Sequence, residues 1–497
     1  MTFAPFAATG RMRLAVALSL YALLQVPTAS AADLLQVYRD AQSNDAQFAS
    51  ARSQLLATRE KLPQGRAGLL PLVTGTAGAT RTRLDQTAAL AQGLPSASGV
   101  RFFNNNNWAL QLSQPLFRWD RWETYKQGEL AAMAGEVTFQ QAQLDLITRS
   151  AQAYFDVLTA QDNLYLAGAQ KKAIGEQLAQ AKRNFEVGTA TITDANDAQA
   201  RYDLATSTEI AAQSALEVAR ANLQQITGKP VDELLGLRPE ADLPAPVPAD
   251  SNAWAAQAEA SNLQVGLANY NLETAQRETN KAKAAHLPSV DLVASYGFTN
   301  QTGSATQTIS THYNASQIGV QLSMPIFAGG QIQSRVRETI ALADKAASDL
   351  EFARRTAAQS ARQSYSGVSN GLAQVKALEA AERSAQSAVE SNQLGYEVGV
   401  RINIDVLNAE AQLFQTRANL AKARYDTIMN GLRLKASTGV LQENDIVQIN
   451  TLLTSTPGAM YQLPQKAKIG AVTTPTPASA SRRSGRREAQ AAGTPRS

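Results

Sequence analysis

Hydrophobic and polar residues recur with two different periods along this chain, and the longer period covers most of it. No proline interrupts the stretches between Pro115 and Pro230 and between Pro325 and Pro457, which are rich in strong helix formers. In the first stretch, hydrophobic residues step by three and four, at Leu144, Ile147, Ala151, Tyr154 and Leu158. The second repeats the seam at Val375, Leu378, Ala385 and Val389, with Glu382 interrupting it. This heptad spacing predicts long helices wound on each other, the first a rod about 100 Å long over 119–186.

Shorter segments alternate hydrophobic and polar residues and predict β-strands. In QIGVQLSM (317–324), Ile318, Val320, Leu322 and Met324 fall on one face, and Gln317, Gln321 and Ser323 on the other. The segments 108–113 and 290–298 repeat this alternation, and the glycine-rich segment 72–80 does so weakly. Polar loops are expected over 81–107 and 299–315. The sequence therefore predicts two hairpins, each placed between helices.

Each long helical stretch is broken once, by a phrase that occurs twice. FEVGTATITD (185–194) and YEVGVRINID (396–405) each contain a glycine, Gly188 or Gly399, that can adopt the positive φ ending a helix. Each also contains an aspartate, Asp194 or Asp405, that can begin the next helix. SQPLF and SMPIF repeat at matching distances before these phrases. We interpret the chain as an internal duplication, with a hairpin, a long helix, a reversal and a shorter helix in each half.

The chain divides into six predicted parts. They are a signal peptide (1–32), a first repeat (33–229), a proline-rich linker (230–250), a second repeat (251–440), an equatorial C-terminal segment (441–460) and a disordered basic tail (461–497). The signal peptide follows from two arginines, an apolar run over 14–24 and small residues before Asp33. It carries +2 and the tail carries +6, so the total of +4 leaves residues 33–460 at −4. This acidic body argues against a nucleic-acid partner.

The chain offers no recognisable catalytic or metal-binding motif. It contains no cysteine, which excludes disulfides and thiolate ligands, and its two histidines, His286 and His312, lie outside any metal or nucleophile motif. We therefore predict no enzymatic activity, no cofactor and no metal.

Only the strands could carry this chain across a membrane. Beyond residue 24, no apolar run approaches the roughly 18 residues of a membrane helix. Four strands cannot close a barrel, and an open edge in lipid leaves backbone groups without hydrogen bonds. Copies of the chain would therefore share one barrel, two copies giving about eight strands and three giving about twelve. The alternative is a periplasmic coiled-coil scaffold without a channel, with its hairpins half-buried in a soluble sheet.

The S-x-P-[LI]-F transitions, the [FY]-x-V-G…I-x-D reversals and the start ADLLQVYRDA resemble the TolC family of outer-membrane channels over about residues 32–450. The resemblance implies an α+β membrane protein, a homotrimer whose 12-stranded outer-membrane β-barrel, with four strands per chain, continues into a long periplasmic α-helical barrel. It implies contact with outer-membrane lipid, a periplasmic adaptor and an inner-membrane pump of the ABC or RND type. Such a channel is the exit duct of a tripartite export system for proteins or small toxic compounds.

The resemblance also assigns roles at the two reversals. It implies that Tyr396 and Arg401 link to the neighbouring reversal at Thr193 and Asp194 and hold the periplasmic tip shut. Asp405 matches a carboxylate of a pore constriction, and Asn408 stands where the family often has a second acidic ring, a departure that bears on cation selectivity. Gly188 and Gly399 lie at the reversals where the adaptor docks. From spacing alone, an aspartate after such a reversal is a helix N-cap, and that interpretation stays open here.

Overall fold

A computed structural model describes residues 31–86, 99–231, 233–239, 241–303 and 309–454. The predicted basic tail and most of the predicted signal peptide lie outside these residues, as does the end of the predicted C-terminal segment beyond residue 454. None of the described helices is both long enough and apolar enough to span a membrane.

The two halves of the chain repeat one order of elements. The first half contains α1 (Leu34–Asn44), α2 (Ala46–Arg59), α3 (Lys61–Ala67), β1 (Leu72–Gln86), β2 (Gly99–Phe117), α4 (Trp119–Glu186) and α5 (Ile192–Thr227). A connecting segment with β3 (Gly236–Leu237) leads to α6 (Ser251–Ser261), α7 (Leu263–Ala284), β4 (Ser289–Gln301), β5 (Thr311–Ser323), α8 (Gln331–Glu397) and α9 (Asn403–Ser437). The chain then forms α10 (Glu443–Asn450) and β6 (Leu453–Thr454).

The predicted long helices are confirmed. Helix α4 has 68 residues and α8 has 67, so each is a rod about 100 Å long. The five residues of the first heptad seam are all buried, Ala151 and Tyr154 completely. In the second seam, Val375 and Val389 are buried, and the interrupting Glu382 forms an ion pair with Arg417 at 2.9 Å. Helix stability here comes from packing along these seams.

The main hydrophobic core lies partway along the helical rods. There α1, α4 and α9 pack against α10 and the two short strands, β3 and β6, which pair with each other. Tyr154 is fully buried and donates its hydroxyl to the backbone carbonyl of Leu235 at 2.6 Å. The segment between the two halves is thereby fastened to the middle of the rods.

The four long strands form one antiparallel sheet in the order β1-β2-β4-β5. Both predicted hairpins are confirmed, and they join along β2 and β4, where Trp108 faces Phe298 and Leu110 faces Tyr296. The predicted loops 81–107 and 299–315 were too long. Strand pairing continues through Arg81–Gln86 with 99–104, and to Gln301 with Thr311. Hydrogen bonding to a neighbouring strand holds polar segments in the strand conformation even where the sequence does not alternate hydrophobic and polar residues.

The outer strand β5 exposes an apolar row to its surroundings. Ile318, Val320 and Leu322 are 77%, 64% and 66% exposed. In the described part of the chain, β1 and β5 each pair with a strand on one side only. The sheet therefore has an exposed apolar face and two open edges.

An ion pair joins the two halves where the sheet meets the helices. Arg118, at the start of α4, donates from Nε to Asp291 Oδ1 at 3.0 Å and from Nη2 to Oδ2 at 2.6 Å. Asp291 lies on β4 and is 9% exposed. This two-point contact fixes the first rod against the second hairpin.

Candidate functional site

The two reversals have the same backbone geometry. Gly188 and Gly399 have φ of 79° and 81°, which confirms the predicted left-handed conformation. In each reversal, the N–H of the residue after the glycine donates to the carbonyl five residues earlier, at 2.8 and 2.9 Å. This pair of features is the Schellman ending of a helix, and a side chain at either glycine would strain the turn.

The predicted starts of the two following helices were wrong by two residues, because α5 begins at Ile192 and α9 at Asn403. Thr191 is the N-cap of α5, and Asp194 lies three residues later, where its Oδ2 accepts from the Thr191 N–H at 3.0 Å. Helix α9 begins at Asn403, so Asp405 also lies inside the first turn. A carboxylate here is favoured by the positive end of the helix dipole, which explains why aspartate sits within the turn.

The two reversals of one chain lie side by side. Asn184, near the end of α4, donates from Nδ2 to the Tyr396 hydroxyl at 3.1 Å. Arg401 Nη1 lies 3.7 Å from Asp405 Oδ2, and both side chains are more than one third exposed. The structure thus gives Tyr396 and Arg401 polar partners within the chain. Their links to Thr193 and Asp194 stay predictions, which concern the neighbouring reversal.

A single polar row runs along the exposed side of α9, which we call the polar stripe. It begins at Asp405 and Asn408 and continues, at steps of three and four, through Gln412, Gln415, Asn419, Lys422 and Asp426. From Asn408 onward these six are exposed, whereas the flanking positions of the helix are buried or half-buried. Asn408 accepts a hydrogen bond from Arg201 Nη2 of α5 at 2.9 Å. The two residues predicted at the constriction therefore begin a continuous hydrophilic row.

The structure adds a buried acid that the sequence analysis did not identify. Glu410 is 6% exposed and contacts Gln177 of α4 and Gln393 of α8. A signal was present, because Glu410 falls at the buried spacing of α9, three residues from both Leu407 and Leu413. An acidic residue at such a position has to find partners in the core.

An open sheet with an exposed apolar face, set on paired helical rods with matched reversals, defines an outer-membrane channel protein. Residues 37–229 and 254–440 match the family model described as "Outer membrane efflux protein". The chain therefore belongs to the outer membrane efflux protein family, a family of channel proteins found in the outer membrane. Membership of this family argues against the alternative interpretation as a periplasmic coiled-coil scaffold without a channel.

Individual relatives support this assignment. The chain is 33% identical to "Outer membrane protein TolC" of Vibrio cholerae over 84% of this chain and 93% of that protein. It is 32% identical to "Alkaline protease secretion protein AprF" of Pseudomonas aeruginosa over 86% of this chain and 88% of that protein. The crystal structure of the Campylobacter jejuni CmeC outer membrane channel superposes with a TM-score of 0.70, at 19% identity, over 85% of this chain and 89% of that chain, which shows the shared fold.

Proposed function

We propose that three copies of this chain form the exit duct of a tripartite export system. Each copy contributes four strands, so three copies give a barrel of twelve strands across the outer membrane. Helices α4, α5, α8 and α9 of each copy continue into the periplasm as a tube. Cargo enters at the reversals and leaves at the cell surface.

The observation that carries this proposal is the open, one-sidedly apolar sheet. An unpaired strand edge in lipid costs several kcal/mol for each unsatisfied backbone group. Edge pairing between β5 of one copy and β1 of the next would remove this cost for every copy once the ring closes. The exposed row on β5 would then face lipid, and the opposite face would line the lumen.

The reversals supply the periplasmic end of the duct. In this proposal, the turns at Gly188 and Gly399 receive a periplasmic adaptor, which joins the duct to an inner-membrane pump of the ABC or RND type. Tyr396 and Arg401 hold the closed tip through Thr193 and Asp194 of the neighbouring reversal. Three copies of Asp405 form a constriction ring, and Asn408 follows it as a neutral ring.

Two classes of cargo fit such a duct, a secreted protein and a small toxic compound. The relative named for alkaline protease secretion aligns over most of both chains, which supports a secreted protein as the first cargo to test. The polar stripe of this chain offers neutral amides at Gln412, Gln415 and Asn419, which can hydrogen-bond the backbone of a peptide of either net charge.

The test is conductance together with export. The purified protein, added to a planar bilayer, should give discrete conductance steps, and its removal from the source bacterium should block export of a protein or sensitise the cells to toxic compounds. A protein that extracts without detergent and gives no conductance would overturn the proposal. Which of the two cellular defects appears would decide the cargo.

A further inference from the structure

A buried acid five residues beyond Asp405 connects two helical hairpins, one formed by α4 and α5 and the other by α8 and α9. Oε1 of Glu410 accepts hydrogen bonds from Nε2 of Gln177 and from Nε2 of Gln393, each at 3.0 Å. Gln177 belongs to α4 and Gln393 to α8, so one carboxyl group of α9 connects three helices. We call these three side chains the carboxyl node.

The carboxyl node is incomplete in a specific way. Oε2 of Glu410 and Oε1 of Gln177 are both buried without a hydrogen-bond partner. A hydrogen bond connects these two atoms when a carboxylic acid pairs face to face with a carboxamide. In such a pair the acid O–H donates to the amide oxygen, and the amide N–H donates to the other acid oxygen. The second of these two hydrogen bonds is already present. A proton on Glu410 would supply the donor for the first.

The surroundings of the carboxyl node favour the protonated form. Burial raises the pKa of Glu410, the hydrogen bonds from Gln393 and Gln177 lower it in part, and the negative charge of Glu176 raises it again. Glu176 lies on α4, and the side chain of α8 that donates to Glu410 is the neutral Gln393. An ionised Glu410 would be a buried charge with one oxygen unsatisfied and a like charge nearby.

Building on the proposed channel function, we propose that Glu410 is a proton-dependent positioning residue of the closed tip. As a neutral acid it pairs with Gln177 and holds α9 against α4 and α8. As a carboxylate it loses the acid–amide pair and favours water, so the two hairpins separate more readily. The folded, closed tip binds this proton more tightly than the open tip does, so closure is strongest at low pH and weakens as the pH rises through the raised pKa of Glu410.

The experiment compares the wild-type channel with Glu410→Gln in planar bilayers from about pH 4.5 to about pH 8. Wild-type conductance should rise with pH. The glutamine variant should stay at the low-pH conductance throughout, because its amide cannot ionise and still offers an N–H where the acid has its O–H. The matched control is Glu217→Gln, an exposed glutamate of α5 outside both reversals, which should keep the wild-type profile. Identical pH profiles for wild type and Glu410→Gln would overturn the proposal.

A second measurement tests the role of the carboxyl node independently of conductance. The chain has no cysteine, so Val389→Cys, one turn before Gln393 and 5% exposed as valine, gives a single thiol whose maleimide labelling reports opening. At each pH, this labelling rate is divided by the rate of the same cysteine in Glu410→Gln, because the ratio cancels the titration of the thiol itself. The ratio should increase with pH. A constant ratio would refute the carboxyl node, whereas an absence of conductance with a rising ratio would refute the channel function alone. If Glu410→Gln fails to assemble, Gln177→Ala replaces it and should raise labelling at low pH; an unchanged rate would also overturn the proposal.

Discussion

A second buried acid predicts how the stability of the helical rods depends on pH. Asp162 of α4 is 8% exposed, and its Oδ2 accepts the hydroxyl of Tyr425 of α9 at 2.7 Å. Burial raises the pKa of Asp162 from 3.8 to about 6, and the hydrogen bond from Tyr425 offsets part of this effect. The folded protein therefore binds this proton more tightly than the unfolded chain does.

The cost of ionising Asp162 follows from that difference. Each pKa unit corresponds to about 1.4 kcal/mol, so the carboxylate destabilises the folded protein by about 3 kcal/mol per chain at pH 8. The neutral acid carries no such cost. The stability that the folded protein gains by holding this proton is fully present below about pH 4 and is lost as the pH rises through about 6. Asp162→Asn keeps an oxygen for Tyr425 and cannot ionise.

We expect Asp162→Asn to be more stable than wild type at pH 8 and equal to it near pH 4. The assay is urea or thermal unfolding of the detergent-solubilised protein, followed by helical circular dichroism at both pH values. Asp156→Asn, at an exposed position of the same helix, is the control and should show no comparable gain at pH 8. A stability difference between Asp162→Asn and wild type that is unchanged across this pH range, or a loss at pH 8, would refute the reasoning.

Three further predictions concern the tip and the base of the sheet. Replacing Tyr396 with Phe and Arg401 with Ser together should raise single-channel conductance, because both polar contacts at the reversal are lost; unchanged conductance would remove them from the gate. Asp405→Ala should weaken block by added divalent cations, and an unaltered dose–response would leave this carboxylate with a role in the helix alone. Arg118→Met should destabilise the protein by about 3–5 kcal/mol, since it leaves the buried Asp291 carboxylate without its ion-pair partner. Arg118→Lys should recover only part of that loss in thermal unfolding, and full recovery would contradict the two-point contact.

The helical part of the fold could be read from the sequence because its determinants are local. Proline-free stretches and heptad spacing define α4 and α8, and the glycines at 188 and 399 define their ends. The strands were placed correctly but drawn too short, since the Asn104–Asn107 run is held in β2 by pairing with β1 and β4. That information lies in the partner strands rather than in the run itself.

The site was predictable only in part, for a similar reason. The repeated phrase located both reversals, but the contact between Asn184 and Tyr396 joins residues more than two hundred positions apart. The pairing of Glu410 with Gln177 and Gln393 likewise depends on how two hairpins meet, and α9 alone shows only an acid at a buried position.

Edge pairing between copies is the central claim, and cysteine cross-linking tests it most directly. Because the chain has no cysteine, Thr76→Cys on β1 can be combined with single cysteines at successive positions over 313–319 of β5. Oxidation in outer-membrane vesicles should give linked dimers and trimers at positions that come into register, and nothing larger. Cross-linking that stays within single chains at every position, or a ladder extending beyond three copies, would contradict the shared barrel.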